Sequence, residues 1–433
     1  MNKLSLIWKT RDLRNKLLIV LVLLLLTRIL AHIPIPGVNT SALRAFFDQN
    51  QFLNLLNIFS GGGLTNFSIA MLGVSPYITA SIIIQLLTII VPSLQELQKE
   101  GGEAGRTKLN QYTRYLTIPL ALLQGFGTIR LLQHTGGASV LSAFTPFQWF
   151  VTLLSVTAGS MLVMWIGEII SEYGIGNGIS LIIFAGIVAA LPRSANSLYE
   201  LYFKGGTNPN TVPVIVGFIA VALIVIAGVV LVTEAQRNIP VSYAKRVRGD
   251  KLYGGVNTHL PLRLNQAGVI PIIFAISVML FPALIAQFFS SAKSHFLQNL
   301  ARHMVDIFNP SSTTWTYGLI YFLLVVAFTY FYTAIVFNPD EVAENVQKNG
   351  GFIPGLRPGK QTADYLYRIL NRITLPGSVF LGLIAILPFI LQKATGVQAV
   401  TFGGTSLLIV VAVVIETIKQ IEAQLTMQDY DNL

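Results

Sequence analysis

Few residues of this sequence have the types and spacing that chemistry requires. Cysteine is absent, which excludes thiolate catalysis, disulfides and cysteine-based metal sites. Neither H-E-x-x-H nor the phosphate-binding pattern G-x-x-x-x-G-K-[ST] occurs. No two histidines have metal-ligand spacing; they are His32, His134, His259, His295 and His303. We therefore expect no enzymatic activity, no cofactor and no bound metal.

Ionisable residues within long apolar segments usually mark transport pathways. Only Arg28, Glu168 and Glu416 lie in or at the ends of such segments. An ion-coupled transporter would need more of them. No Asp lies in any of these segments, which disfavours an aspartyl intramembrane protease. For Arg28 a structural or snorkelling role is favoured over the role of a substrate ligand.

Two pairs of apolar residues have helical spacing. Val74 and Ile78 are four residues apart, as are Ile179 and Ile183, so each pair shares one face of a helix. By themselves such pairs indicate ordinary helix packing. The glycine-rich stretch Gly174–Gly178 has the wrong spacing for a phosphate loop and no following lysine, so we interpret it as a tight turn.

The elements that hold these residues are membrane spans. Of the 433 residues, 53% are hydrophobic and 11% charged, whereas soluble domains carry about 25% charged residues. A helix needs about 20 apolar residues to cross a bilayer. Ten segments of this kind are predicted: Leu17–Pro34, Ser75–Val91, Tyr115–Leu132, Trp149–Gly167, Gly178–Pro192, Val212–Thr233, Ala267–Phe288, Gly318–Phe337, Thr374–Leu391 and Gly403–Ile418.

The distribution of positive charge predicts the orientation of these spans. Lys and Arg are concentrated before the first segment and in the connections after the second, sixth and eighth. Because cytoplasmic loops are enriched in Lys and Arg, we expect both termini and the two large loops, 234–264 and 338–373, in the cytoplasm. The net charge of +10 fits this topology, although in a soluble protein it would suggest nucleic-acid binding.

One uncharged stretch is too long for a single span. Residues 49–95 carry no charge and include Gly61, Gly62 and Gly63, which cannot sustain a helix interior. We predict a half-helix or loop, then a break, then a full helix from about Ser75. Irregular backbone at membrane depth is tolerated where it is buried in protein or lines a cavity, so we favour that location over an external loop with an apolar surface.

Several motifs along the chain resemble those of the bacterial SecY family, and their order spans most of the sequence. They are residues 33–37 (IPIPG), 59–62 (FSGG), 76–87 (PYITASIIIQLL), 111–115 (QYTRY), 174–180 (GIGNGIS), 243–246 (YAKR), 258–262 (THLPL), 265–271 (NQAGVIP), 337–339 (FNP), 354–359 (PGLRPG) and 402–406 (FGGTS). Each motif is moderately specific, whereas their joint order is very specific.

The resemblance implies an all-α integral membrane protein with ten transmembrane helices in two pseudo-symmetric five-helix halves. The halves would be residues 1–192 and 193–433, around an hourglass pore with a re-entrant plug at about residues 56–70. Plug positions would include Ser60, Gly61, Gly62, Gly63 and Phe67. The narrowest point would be a ring formed by Val74, Ile78, Ile179, Ile183, Ile273 and Ile409. Such an apolar ring excludes water and ions by dewetting.

The resemblance further implies a gate that opens sideways to lipid, between the second and third spans on one side and the seventh and eighth on the other. Thr79, Gln124 and Asn265 match its polar positions, although they could simply pack helices together. The large basic loops would dock a translocation motor and the ribosome, chiefly through Arg357, with Lys245, Arg246 and Arg248. These charges also set topology, and both roles are compatible. Gln236–Arg237–Asn238 has one basic residue where the family often has two.

The sequence thus predicts a passive protein-conducting channel in a bacterial inner membrane, which moves unfolded polypeptides across and releases transmembrane segments into lipid. Expected partners are SecE-type and SecG-type subunits, a SecA-type ATPase, the ribosome, signal peptides, nascent polypeptides and the lipid bilayer. A secondary transporter of small solutes is the alternative, which the scarcity of intramembrane charge disfavours. An intramembrane enzyme comes third.

Overall fold

The computed structural model describes residues 10–36, 38, 43, 57, 60–99, 101–136, 145–199, 211–243, 246–248, 251–253, 257–289, 295–308, 315–395 and 404–431. Over these residues the chain is mostly helical. The helices are α1 (Arg11–Leu30), α2 (Ser75–Ile90), α3 (Pro92–Lys99), α4 (Gly102–Gly136), α5 (Pro146–Tyr173), α6 (Gly178–Tyr199), α7 (Thr211–Glu234), α8 (Ile270–Phe289), α9 (His295–Phe308), α10 (Trp315–Val336), α11 (Pro339–Lys348), α12 (Lys360–Thr395) and α13 (Gly404–Asp431).

Each of the ten predicted spans overlaps one of these helices. Within the described residues, α5 is long and apolar enough to cross a membrane, as are residues 315–348 and Lys360–Leu391. A fourth candidate is the pair α2–α3, which bends by 105° at Val91. Shorter apolar helices cover Gly178–Pro192, Ile219–Glu234 and Ile270–Met279. The chain is therefore a multi-pass membrane protein, whereas ten crossings and the division at residue 192 stay predictions.

Three predictions about local structure are confirmed. Helix α2 begins at Ser75, with Pro76 in its first turn, where a missing N–H costs nothing. Residues 60–74, which we call the glycine-rich segment, form successive turns rather than a helix. Residues 174–177 form the short turn between α5 and α6. The earlier part of the predicted plug, Leu56, Ile58 and Phe59, lies outside the described residues.

The two large loops fold together. Strand β1 (Gln236–Tyr243) pairs antiparallel with β4 (Asn257–Arg263), and β5 (Gly351–Phe352) from the second loop adds to the other edge of β1. A short hairpin of β2 (Arg246–Arg248) and β3 (Lys251–Tyr253) extends from the first loop. A small apolar core lies beneath this sheet, formed by Ile239, Val241, Leu262, Ile353, Leu366 and Ile369. Because the core takes residues from both loops and from α12, it holds the loops as one unit.

Two larger apolar clusters hold the helices together. The central cluster draws residues from α1, α2, α5, α6, α7, α8, α10, α12 and α13. The second cluster joins the glycine-rich segment to α4 and α5 and includes Ile35, Leu43, Leu64, Phe67, Met71 and Ile129. Helix α8 contacts both α2 and α4, and α10 packs along α12.

Candidate functional site

The six predicted ring residues come from four helices, counting Val74 as the cap of α2, and all six lie in the central cluster or pack against it. Val74, Ile78, Ile183, Ile273 and Ile409 are all members of the central cluster, with exposed fractions of 0%, 7%, 1%, 6% and 1%, and Ile179 packs against it. The sequence separation between Val74 and Ile409 means that only folding brings them together. We call these six residues the constriction.

Local hydrogen bonds at the starts of α2 and α6 fix the positions of four constriction residues. Ile78 N donates to Val74 O at 3.0 Å, so these two lie one helical turn apart at the start of α2. The turn before α6 is closed by two bonds: Gly178 N donates to Ser171 Oγ at 2.9 Å, and Ser180 N donates to Asn177 Oδ1 at 3.2 Å. Because Asn177 caps the first turn, the register of α6 and its constriction residues is fixed.

A cavity of about 620 Å³ lies against the constriction. Ile78, Ile179, Ile183 and Ile273 line it on the apolar side. The rest of its lining is largely polar and includes Ser81, Gln85, Thr107, Asn110, Arg114, Glu168, Ser171 and Asn177. In the predicted orientation the cavity opens toward the cytoplasm. The cavity thus has polar side chains next to four of the predicted ring residues.

Arg114 and Glu168 cross this cavity as an ion pair. Arg114 Nε lies 2.9 Å from Glu168 Oε1, which links α4 to α5. The two side chains are 43% and 20% exposed, so solvent screens the pair. Glu168 therefore has a structural partner in Arg114.

The second half of the glycine-rich segment is hydrogen-bonded to the chain that follows α1. Ile35 N donates to Phe67 O at 2.9 Å, and Ile69 N donates to Ile33 O at 3.1 Å, around a bridge between Pro34 and Ser68. Phe67 is fully buried and adopts a φ of 45°, which few non-glycine residues do. We call Phe67–Ile69 the root of the segment. Residues 33–35 of the IPIPG motif thus form one side of a short ladder.

Helix α5 accommodates the segment at Gly159. A Cβ placed on Gly159 would lie 2.1 Å from Ile69 O, so only glycine allows this approach. Sequence reasoning did not single out Gly159. A lone glycine in an apolar helix offers no signal of the backbone that lies opposite.

Arg28 does not snorkel out to the membrane surface. It lies in the last turn of α1, and its Nη1 donates to Gly61 O in the glycine-rich segment at 2.5 Å. The structural role favoured from the sequence therefore has a specific partner, 33 residues away in the chain.

The polar gate residues are only partly brought together. Gln124 Nε2 donates to Thr79 Oγ1 at 3.2 Å, and Ser75 Oγ donates to Gln124 Oε1 at 3.4 Å. Both bonds join α2 to α4, on one side of the predicted gate. Asn265 precedes α8; its Nδ2 donates to Gly268 O at 3.1 Å, while its buried Oδ1 has no partner. The two sides of the predicted gate are in contact through α8, yet these three residues do not bridge them.

Of the predicted docking residues, Arg357 is exposed in the turn before α12. Its carbonyl accepts from Thr362 Oγ1 at 3.0 Å, which orders that turn. Arg246 and Arg248 lie in β2, and Lys245 lies outside the described residues. Among the residues that the structure describes, no group of three or more His, Asp or Glu side chains could hold a metal ion.

A bundle of apolar helices around a cavity with a polar lining is typical of membrane channels and transporters. A sequence model of the SecY family matches residues 68–418. The protein translocase subunit SecY of Mycobacterium bovis is 46% identical over 437 residues, covering 98% of this chain and 97% of that protein.

Solved channel structures have the same fold. One, which concerns the SecY plug domain that stabilises the closed channel and maintains a membrane seal, covers 93% of this chain and 90% of its own at 21% identity and a TM-score of 0.63. Sec61 from a canine ribosome–channel complex covers 94% and 91% at 18% identity and a TM-score of 0.60. The chain belongs to the SecY family.

Proposed function

We propose that this chain is the central channel subunit of the general secretory translocase, a passive pore for unfolded polypeptides. The observation that carries the proposal is a polar cavity lined on three helices by four of the predicted ring residues: Ile78, Ile179, Ile183 and Ile273. An apolar ring excludes ions and offers no polar group that would retain a passing chain. The high identity to a translocase subunit over nearly the full chain supports this assignment.

The finer architecture is part of the proposal. Ten crossings would form two five-helix halves, 1–192 and 193–433, around an hourglass pore with both termini in the cytoplasm. The glycine-rich segment would act as the plug, since it lies against the central cluster through Ala70 and against a second cluster through Leu64 and Phe67. The chain would reside in a bacterial inner membrane.

Sideways release of transmembrane segments would occur where α8 meets α2 and α4. These helices touch each other, and the polar side chains there are few and weakly connected. A signal peptide's apolar core of 7–15 residues would enter between them. Apolar contact, with Thr79 and Gln124 bonded on one side, would keep this gate closed.

Partner proteins would supply the energy for translocation and would hold the two five-helix halves together. A SecE-type subunit would hold the two halves together, a SecG-type subunit would accompany it, and a SecA-type ATPase or the ribosome would deliver substrate. Arg357 is exposed beside the folded unit of the two loops, and the basic residues Arg246 and Arg248 lie in β2 of the first loop, so the two loops would offer a basic surface to these partners. Ribosomal RNA is polyanionic, so basic residues there gain affinity through counterion release.

An ion-leak measurement tests the pore. The chain is reconstituted with a SecE-type partner in liposomes, and the double variant Ile78→Gly with Ile183→Gly is compared with the unaltered protein. We expect the unaltered protein to be tight and the double variant to leak, because two constriction side chains are gone.

The matched control is Ile89→Gly with Val188→Gly, which places glycines in the same two helices at positions 50% and 38% exposed. This control should stay tight. Equal leak in both double variants would attribute the leak to helix damage. Equal tightness in all three proteins would contradict the constriction, and uptake of small solutes would be tested next.

A further inference from the structure

Helix α9 joins the two spans that form one side of the proposed gate. It has 14 residues and packs against α8 and, less extensively, against α10. Only residues 290–294 separate it from the end of α8, and residues 309–314 from the start of α10. Because links this short reach at most about 25 Å, α9 lies close to the membrane surface at which these two spans end.

One apolar stripe of α9 is used for packing within the protein. Ala301, Met304 and Phe308 are three or four residues apart, so they share one face of the helix. Ala301 is 2% exposed, Met304 is half-buried, and Phe308 packs against the central cluster. This stripe attaches α9 to the bundle.

A second apolar stripe is left exposed. Phe296, Leu300 and Ile307 share a different face of α9 and are 75%, 50% and 37% exposed. His303 lies in the same stripe, and its Nδ1 donates to Asn299 O at 3.0 Å. An imidazole has an apolar body and a polar tip, which suits a boundary between lipid and water. We call these four residues the exposed stripe.

The face next to the exposed stripe is polar in sequence. Its positions are spaced by four, three and four residues and are occupied by His295, Asn299, Arg302 and Asp306. A helix with one polar face and a large apolar face, which also ends close to a membrane surface, has the pattern of helices that lie in the membrane interface.

Lipid is the occupant that the neighbouring span already meets. Trp315, Leu319 and Leu323 share one face of α10 and are 66%, 60% and 55% exposed, so this membrane helix turns that face to lipid. Trp315 is the first residue of α10, a position where tryptophan commonly marks the membrane interface. The exposed stripe is linked to that position by six residues, 309–314.

We propose that α9 is an interfacial helix whose exposed stripe docks on lipid, at the boundary between the headgroups and the acyl chains. In the proposed orientation this lipid belongs to the outer leaflet. The inference rests on the proposed function, since it names lipid as the partner of the helix that joins the two spans on one side of the gate. Because the helix contains one Arg and one Asp, apolar contact rather than attraction to anionic lipid holds it.

The docking is tested by fluorescence quenching at single cysteines, which the cysteine-free sequence allows without background. Leu300→Cys lies in the exposed stripe, and Asn299→Cys lies one residue away on the polar face; both native side chains are exposed. Each variant is labelled with an environment-sensitive fluorophore and reconstituted with a SecE-type partner in phosphatidylcholine liposomes. Spin-labelled phosphatidylcholine and aqueous iodide serve as the two quenchers.

We expect the spin-labelled lipid to quench Leu300→Cys several-fold more than Asn299→Cys, and iodide to give the reverse order. Phe296→Asp with Ile307→Asp should lower lipid quenching at Leu300→Cys to the level at Asn299→Cys, because charges in the stripe oppose its burial in lipid. The matched control, His295→Asp with Asn299→Asp, puts the same charges on the polar face. It should leave lipid quenching at Leu300→Cys unchanged.

Three results would overturn the docking. The first is equal lipid quenching at the two cysteines, and the second is an unchanged signal after Phe296→Asp with Ile307→Asp. The third is protection of Leu300→Cys from both quenchers, which would mean that protein, such as a second copy of this chain, covers the stripe.

A further labelled variant separates this inference from the proposed function. Leu319→Cys lies on the lipid-facing side of α10 and should be quenched by the spin-labelled lipid whatever α9 does. If Leu319→Cys is quenched and Leu300→Cys is not, the docking of α9 is wrong and the membrane span stands. Failure of the pore assignment would be seen in the ion-leak measurement, which does not depend on these labels.

Discussion

The constriction and the predicted gate share helix α2, at the adjacent residues Ile78 and Thr79, yet they are held by different forces. The constriction residues are embedded in one continuous apolar cluster with many neighbours. The gate residues depend on two hydrogen bonds between α2 and α4, while Asn265 bonds within its own segment. One region has many non-directional contacts and the other has a few directional ones.

If the proposed function holds, this difference would let one channel seal tightly at the constriction and still open sideways at the gate. Apolar contacts contribute in proportion to the area buried, so the constriction tolerates changes that preserve volume and apolar character. Hydrogen bonds between membrane helices contribute only about 0.6 kcal/mol each. The gate is therefore held weakly, and its polar residues adjust the threshold for opening rather than set the seal.

The largest expected effect comes from making the constriction polar. Ile183→Asn places an amide in a site that is 1% exposed, where an unpaired polar group costs about 1–3 kcal/mol. Water entering the pore relieves that cost, so we expect ion leak in liposomes to increase about tenfold or more.

The matched variant is Ile183→Val, which stays apolar and should cost only about 0.5–1.5 kcal/mol in stability. Its ion leak should remain near that of the unaltered protein. If valine and asparagine leaked equally, packing volume rather than apolar character would govern the seal, and the contrast drawn above would fail.

A smaller effect is expected at the gate. Gln124→Leu removes both bonds between α2 and α4, at a cost of about 1 kcal/mol. We expect secretion of a reporter with a defective signal peptide to rise several-fold. Asn265→Leu should also loosen this discrimination, but less, because it loses one bond and removes an unpaired buried oxygen. A larger effect of Asn265→Leu than of Gln124→Leu would mean that the polar contact that resists gate opening lies on the α8 side.

The smallest effect is expected at the ion pair beside the cavity. Arg114 and Glu168 are part-exposed, and such pairs contribute about 0.2–1 kcal/mol. A double-mutant cycle with Arg114→Gln and Glu168→Gln, read out by unfolding in detergent, should give a coupling energy below about 1 kcal/mol. A markedly larger value would mean that directional contacts dominate near the constriction too.

Much of the helical framework could be predicted because its signals are local. A long apolar run indicates a membrane helix wherever it lies, and every predicted span overlaps a helix. The break at Gly61–Gly63 and the start of α2 at Ser75 followed from glycine and proline chemistry. The constriction residues followed from the resemblance to a family, since apolar pairs alone indicate nothing beyond packing.

Other features could not be predicted, because they join residues that are distant in the chain. Nothing at Gly159 signals that the carbonyl of Ile69 lies against it. Strand β1 pairs with β5 across more than 100 residues of sequence. No pattern in either loop predicts this pairing, because β5 is only two residues long. Asn265 was grouped with Thr79 and Gln124, but its hydrogen bond is local.

The sequence by itself determined that this protein lies in a membrane, where its helices fall and to which family it belongs. The lengths of the apolar segments, the placement of charge and the order of the motifs are all properties of the linear chain. Only the tertiary structure decided which polar groups satisfy one another. Arg28 could have snorkelled to the surface, and its charge and position allowed either outcome. The approach of the Gly61 carbonyl decided between them, because a half-buried cation takes the acceptor that folding places within reach.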